Sequence, residues 1–173
     1  MYQDYARAFT RGTGLPLRLH APELMRVLEF DRKDENPFCA LMAKTNQSCA
    51  ACYGLQQKLE AEAQLEPKTL KCFAGLCETA VPVRVGDKLI AFLQTGQILL
   101  HRPNRTEFNK VAQTLLSFGA QVDLKRLEEA YFNTRVLSKQ QYEALIRLLA
   151  IFAEHLGECA AALALEAHPE EPL

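Results

Sequence analysis

Five of the six cysteines crowd the stretch from Cys39 to Cys77. Cys49 and Cys52 form a C-A-A-C step, and residues three apart on a helix share one face. Two thiolates at that spacing can grip one soft metal ion. Cys39 and Cys72 would complete a four-cysteine site for zinc or an iron–sulfur cluster, if a short helix and a strand start meet the helix N-terminus. The helix dipole there would favour the thiolate form. A zinc ribbon carries two such knuckles, and this chain has one. Three readings of the cysteines stand side by side: buried free thiols in a small-residue core, a metal or iron–sulfur site, and a redox switch. A thiol oxidoreductase of the thioredoxin type needs a buried strand before its motif, and the run AKTNQS ahead of Cys49 is not one.

Other catalytic constellations are thin. There is no Gly-rich phosphate loop, no His-Glu-x-x-His run and no nucleophile elbow. His101 and His155 are isolated, and His20 and His168 read as exposed. Catalysis is not argued for by this chain. Gln94, Gly96 and Gln97 carry more information. Amides in an otherwise apolar run are costly if buried without partners. A strand glycine such as Gly96 or Gly75 marks a bulge or a close backbone approach. Alternation puts Gln94 and Gly96 on one face and Gln97 on the other.

The elements that must position these residues can be read in order. The 173 residues, 49% of them hydrophobic, are enough for one domain or one domain with a helical extension. The net charge of −1 leaves no footprint for nucleic acid or an acidic membrane surface. No segment reads as a membrane span or a signal core, so a cytoplasmic protein with reduced thiols is expected. A helix over 1–12 with Tyr5, Ala8 and Phe9 on one face is followed by an edge strand, Leu15 to His20. The stretch 21–30 fits a helix or a strand equally, and 31–36 reads as a solvated loop. Asn36-Pro37 starts a short helix, and Asn46 or Ser48 caps a longer one to about Gln64. Thr79 to Val85, the Gly86-Asp87 turn and Leu89 to Leu100 form a hairpin at the sheet centre. Helices follow over 105–118, over 124–132 after an Asp123 cap, and from Ser138 to about Ala167. In the last, Tyr142, Leu145, Leu149, Phe152, Leu156, Cys159 and Leu163 alternate steps of three and four. That pattern is either a dimer seam or a helix docked on its own core.

Several of these motifs occur in the order found in one family. Phe38-Cys39, the helical Cys49 to Cys52, Cys72-Phe73-Ala74-Gly75-Leu76, Val81-Pro82-Val83, Gly86 and Gly96-Gln97-Ile98-Leu99 together resemble the PocR-type sensory domain, a variant of the PAS fold. Phe73 stands where that family usually has a histidine, which would make the pocket more apolar. The resemblance implies an α+β fold: an antiparallel PAS-like sheet flanked by helices. It implies a sensory domain over 1–136, a signalling and dimerisation helix over 137–168, and at 169–173 the start of a linker. Beyond that linker an AraC-type DNA-binding module, absent from this chain, is expected. The implied function is a cytoplasmic ligand-sensing domain of a transcription factor. It would bind a small organic molecule, form a homodimer through its last helix and meet no membrane. Strand alternation and the resemblance together point to a pocket walled by Phe38, Leu41, Cys72, Phe73, Leu76, Phe92 and Gln94. The different-class alternative is a metal or redox sensor using Cys39, Cys49, Cys52 and Cys72.

Overall fold

A computed structural model describes residues 1–22 and 35–167. Its centre is the expected hairpin: β3 (Cys77–Val85) and β4 (Lys88–Ile98) pair antiparallel around Gly86-Asp87. β1 (Leu17–His20) lies outside β4 and β2 (Lys68–Lys71) outside β3, giving a four-stranded antiparallel sheet of order β1-β4-β3-β2. The fold class is α+β, as expected. Pro82 sits in a central strand without breaking it. The β2 ladder reaches only as far as Ala80, so Pro82 lies where the outer side of β3 has no strand partner to receive an N–H.

The helices use local signals that the sequence carries. In α1 (Tyr2–Thr13), Gly14 closes the C-terminus in the left-handed conformation and donates to the Thr10 carbonyl. The Asn36 side chain caps α2 (Pro37–Met42) by accepting from the Phe38 N–H. A full capping box, Asn104 with Glu107, starts α4 (Arg105–Ser117), and Asp123 caps α5 (Leu124–Phe132). Ser138 and Gln141 satisfy each other's backbone N–H at the head of α6 (Lys139–Ala167). Between them lies α3 (Asn46–Glu62).

The sheet has two differently covered faces. On one, Cys77, Val81, Val83, Leu93 and Ile98 pack against Phe9 of α1 and Tyr142, Leu149 and Ala153 of α6. Tyr5 stacks on Phe152 at 3.5 Å. On the other lies α3, with Leu59 and Ala63 against Ala80 and Phe92. A third cluster joins α2, α4 and α5 to the end of the sheet, with Phe38, Leu76, Leu99, Phe108, Leu115 and Tyr131 at its heart.

The last helix docks on the chain's own core, one of the two readings its pattern allowed, and departs from expectation in its composition. Tyr142 and Leu149 are buried in the chain's own core, and Leu145, Phe152 and Leu156 pack on it too. Five of the seven seam positions therefore take part in docking on the core. The same Leu- and Ala-rich helix is, over Lys139–Glu166, long and apolar enough by composition to cross a membrane, against the sequence expectation. Here its apolar stripe covers β3. Gly75, expected inside a strand, instead takes φ 82° in the Cys72–Leu76 turn between β2 and β3. The stretches 23–34 and 168–173, including His168 and the expected linker, lie outside the described residues.

Candidate functional site

The site lies between α3 and the sheet. Alternation sends Glu78, Ala80 and Pro82 of β3 and Phe92, Gln94 and Gly96 of β4 to this face. β1 adds Arg18 opposite Gln94 and His20 opposite Phe92. Facing them, α3 carries Ser48, Cys52, Gln56 and Glu60, each four residues from the last and so on one stripe. The layers meet through named contacts. Gln94 Nε2 donates to Gln56 Oε1, His20 Nδ1 lies 3.9 Å from Glu60 Oε1, and the His20 ring is 5.8 Å from that of Phe92. Leu59, Ala63, Ala80 and Phe92 make one end of this layer apolar. Toward α2 it becomes polar, with Glu78, Cys52, Cys39, Cys72 and Glu35 each within electrostatic reach of at least one of the others.

A β-bulge shapes the polar end. Cys77 pairs with Ile98 but Glu78 with Gly96, so Gln97 is an extra residue in β4, at φ 60°. The bulge resets the alternation. Ile98 joins the α6 face, while Gln97 turns to meet Asn36, a place that strict alternation did not give it. Gly96 must be glycine, because a Cβ there would run into the Cys77 carbonyl and the Glu78 backbone.

Burial dominates the electrostatics. Glu78 is 8% exposed, and its carboxyl is pushed up to about 8, chiefly by desolvation; Arg18 pulls it down and Glu35 pushes it further up. Burial raises the Cys39 thiol well above its ordinary value and that of Cys52 to about 12, with neighbouring carboxyls and thiols adding to both. The Cys72 thiol is raised too, although backbone N–H groups of the Cys72–Leu76 turn oppose the shift. The expected thiolate-favouring helix terminus is overridden by desolvation at Cys52.

Four buried polar atoms have no hydrogen-bond partner among the described residues: His20 Nε2, Glu35 Oε2, Ser48 Oγ and Gln94 Oε1. All four belong to residues of this layer or its polar end. His20, Ser48 and Gln94 are 5%, 0% and 2% exposed. Unpaired buried polar atoms cost about 1–3 kcal/mol each, and their clustering around one layer makes it the candidate site.

The structure redistributes the residues expected in the site. Phe38, Leu41, Cys72, Phe73 and Leu76 belong to the α2–α4–α5 cluster, whereas Phe92 sits under α3. Of the seven, Gln94 is the one with an unpartnered atom in the interlayer. Phe73 meets Phe118 edge-on at 5.8 Å, which is aromatic core packing. Cys39, Cys52 and Cys72 lie within electrostatic reach of one another, and Cys49 within reach of Cys52, without forming a ligand set. Cys49 is exposed, while Cys39, Cys52 and Cys72 are part-buried, and no three His, Cys, Asp or Glu side chains among the described residues are placed to hold a metal ion. Sequence reasoning missed Glu78 and took His20 for exposed. The signals for both were present: a charge inside a β-branched run, and a histidine in the strand beside Gln94.

The family model for the sensory domain found in PocR matches residues 1–161. The chain belongs to the PocR sensory-domain family. The regulatory protein PocR of Salmonella typhimurium is 29% identical over 100 residues, a match covering 55% of this chain and 31% of that protein. The aligned part thus spans under a third of the length of that PocR relative. No solved structure matches.

Proposed function

We propose that this PocR-type domain senses a small organic ligand bound between α3 and the sheet, and that it regulates transcription through a DNA-binding module of the AraC type outside this chain. The observation that carries the reading is the set of unpartnered buried atoms of His20, Ser48 and Gln94, in a chain of a sensory family. β3 supplies the route for the signal. Glu78 faces the interlayer, and its neighbour Thr79 shares a 2.7 Å hydrogen bond with Tyr142 of α6 on the opposite face. A ligand that binds better to one arrangement of α3 and β3 shifts the position of α6 by that difference in affinity. The domain acts in the cytoplasm as a homodimer. Its contact is the exposed part of α6, where Leu148 and the last seam position, Leu163, are 57% and 65% exposed, rather than the seam positions used on the sheet. No catalytic step is assigned to it.

The test is a melting-temperature screen of small organic molecules against the chain and its Gln94→Leu variant. A compound that raises the melting temperature of the parent and loses most of that effect in Gln94→Leu supports the reading. A full effect retained in the variant places the ligand elsewhere and overturns the site.

A further inference from the structure

We infer that the hydrogen bonds joining Asn36, Gln97 and Thr134 form a second coupling element, through which the polar end of the interlayer sets the root of α6. This rests on the sensor reading and adds a regulatory device to the same site.

Three elements border the polar end, and each is tethered to the end of α5 or to the segment just after it. α2 carries Cys39, and its capping residue Asn36 donates through Nδ2 to Thr134 Oγ1 at 3.4 Å as well as to the Gln97 carbonyl at 2.9 Å. The turn that carries Cys72 is held by Tyr131, whose hydroxyl donates to the Ala74 carbonyl at 3.3 Å. β4 opposes Glu78 with Gly96, and just past the bulge the Leu99 N–H donates to the Arg135 carbonyl at 2.9 Å. Thr134 itself is buried and folds back on α5, its hydroxyl donating to the Ala130 carbonyl at 3.2 Å. From there Arg135 to Ser138 lead straight into α6, and they are not slack: the Leu137 N–H returns to the Leu99 carbonyl at 3.0 Å. A shift of α2 or of the bulge therefore has a short, hydrogen-bonded path to the head of α6.

Gln97 is what lets this junction switch. Among the described residues it is the one position other than glycine with positive φ, 60°, and it is buried. Such a backbone persists where its surroundings over-determine it. Here the constraint comes from Asn36, whose backbone N–H donates to Gln97 Oε1 and whose Nδ2 donates to the Gln97 carbonyl. A ligand seated against Glu78 and Gly96 touches the residue next to the strained one. One that favours another bulge geometry loosens the Asn36 bonds by its difference in affinity, and Thr134 loses its donor. The Thr79–Tyr142 bond reaches α6 from the sheet face, whereas this junction reaches it through the segment that leads in.

Amide hydrogen exchange of the whole chain, followed by NMR without ligand, tests the coupling itself. In Gln97→Gly the new residue accepts the left-handed backbone, so the strand is kept while the bond from the Asn36 N–H is lost. Exchange of the Leu137 and Tyr142 amides should then speed up by about two- to tenfold relative to the β3–β4 ladder, the range of one ordinary hydrogen bond. Thr134→Val enters from the other end. Coupling is reciprocal, so the Ala40 amide of α2, bonded to the Asn36 carbonyl at 3.0 Å, should speed up by about twofold or more. If Gln97→Gly fails to fold, Thr134→Val decides. Faster exchange confined to the substituted side, in either variant, overturns the inference, because contact would then carry no coupling. An equal rise across the β3–β4 ladder makes the junction an ordinary stability element and overturns it too, as does unchanged exchange throughout. Each of these leaves the interlayer sensor standing, with β3 as its route. A ligand effect fully retained in Gln94→Leu, by contrast, removes the proposed site and leaves the measured coupling in place.

Discussion

Asn36 and Gln97 hold each other from opposite ends of the sensory fold's first half: the Asn36 backbone N–H donates to Gln97 Oε1 at 2.7 Å, and Asn36 Nδ2 donates to the Gln97 carbonyl at 2.9 Å. The same Asn36 side chain caps α2, and Gln97 is the bulge residue of β4. One pair of residues thus fixes where α2 begins relative to the polar end of the sheet. Asn36→Ala removes the cap and a bond to the bulge together, and should lower unfolding free energy by about 1–3 kcal/mol. Urea unfolding followed by circular dichroism measures it. An effect under roughly 0.5 kcal/mol would show that the clamp does not hold the fold.

Glu78 gives a pH signature. Its carboxyl titrates near 8 when folded, against an ordinary value of 4.5. The folded state therefore binds the proton more tightly than the unfolded chain does. Stability is unpenalised below about 4.5, declines as pH rises through the interval, and bears the whole penalty above about 8. Glu78→Gln lacks this proton. The stability of the variant minus that of the parent should grow between pH 5 and pH 8, by on the order of a few kcal/mol. A difference that stays flat across this window would mean that Glu78 is ionised and paired in the folded protein.

Two glycines make opposite predictions. A Cβ on Gly157 of α6 would sit on the Arg84 carbonyl, so Gly157→Ala must lift the helix from the end of β3. A destabilisation of about 1–3 kcal/mol is expected, as for other overpacked positions. Gly54 is exposed on α3 with nothing near its Cβ position. Gly54→Ala should stabilise by about 0.5–1 kcal/mol through helix propensity alone. Thermal melts of the two variants beside the parent check both signs.

Tyr142 reaches through the core to Thr79, which also bonds Thr69 of β2 at 2.7 Å. Tyr142→Phe keeps the ring and deletes the hydroxyl, and should lower stability by about 0.5–1.5 kcal/mol. In a longer chain that carries the output module, the same change should weaken the response to ligand more than it weakens ligand binding. Equal losses in both would place the signal on another route.

The dimer expectation is tested on the exposed residues of α6. Leu148→Glu and Leu163→Glu change exposed residues and should leave monomer stability within about 0.5 kcal/mol. If α6 is the contact, sedimentation velocity should show a shift from dimer to monomer at equal concentration. An unchanged sedimentation profile removes this face from the interface.

Much of the scaffold was legible because its signals are local. Asn36-Pro37, Asn104 with Glu107, and Asp123 each announce a helix within four residues, and Gly86-Asp87 announces the hairpin. The site was less legible because its residues depend on pairing between distant strands. His20 becomes buried once β1 registers against β4 with His20 opposite Phe92, and a short alternating run read alone put the leucines inside. Gln97 changes direction through one extra residue that alternation cannot foresee. The heptad of α6 was legible as a stripe, but a stripe does not say which surface it covers. The cysteine spacing carried local geometry only, and the turn of α3 leaves Cys49 in solvent while Cys52 turns inward.

The parity of β3 has an evolutionary reading. Even positions, Glu78, Ala80 and Pro82, look toward α3, and odd positions, Cys77, Thr79, Val81 and Val83, look toward α6. On the proposed reading, one strand is thereby a partition between a recognition wall and an output wall, written in alternate letters. A lineage can exchange the even letters to meet a new chemical and leave the odd ones untouched. The two tasks can diverge at separate rates while sharing a single backbone.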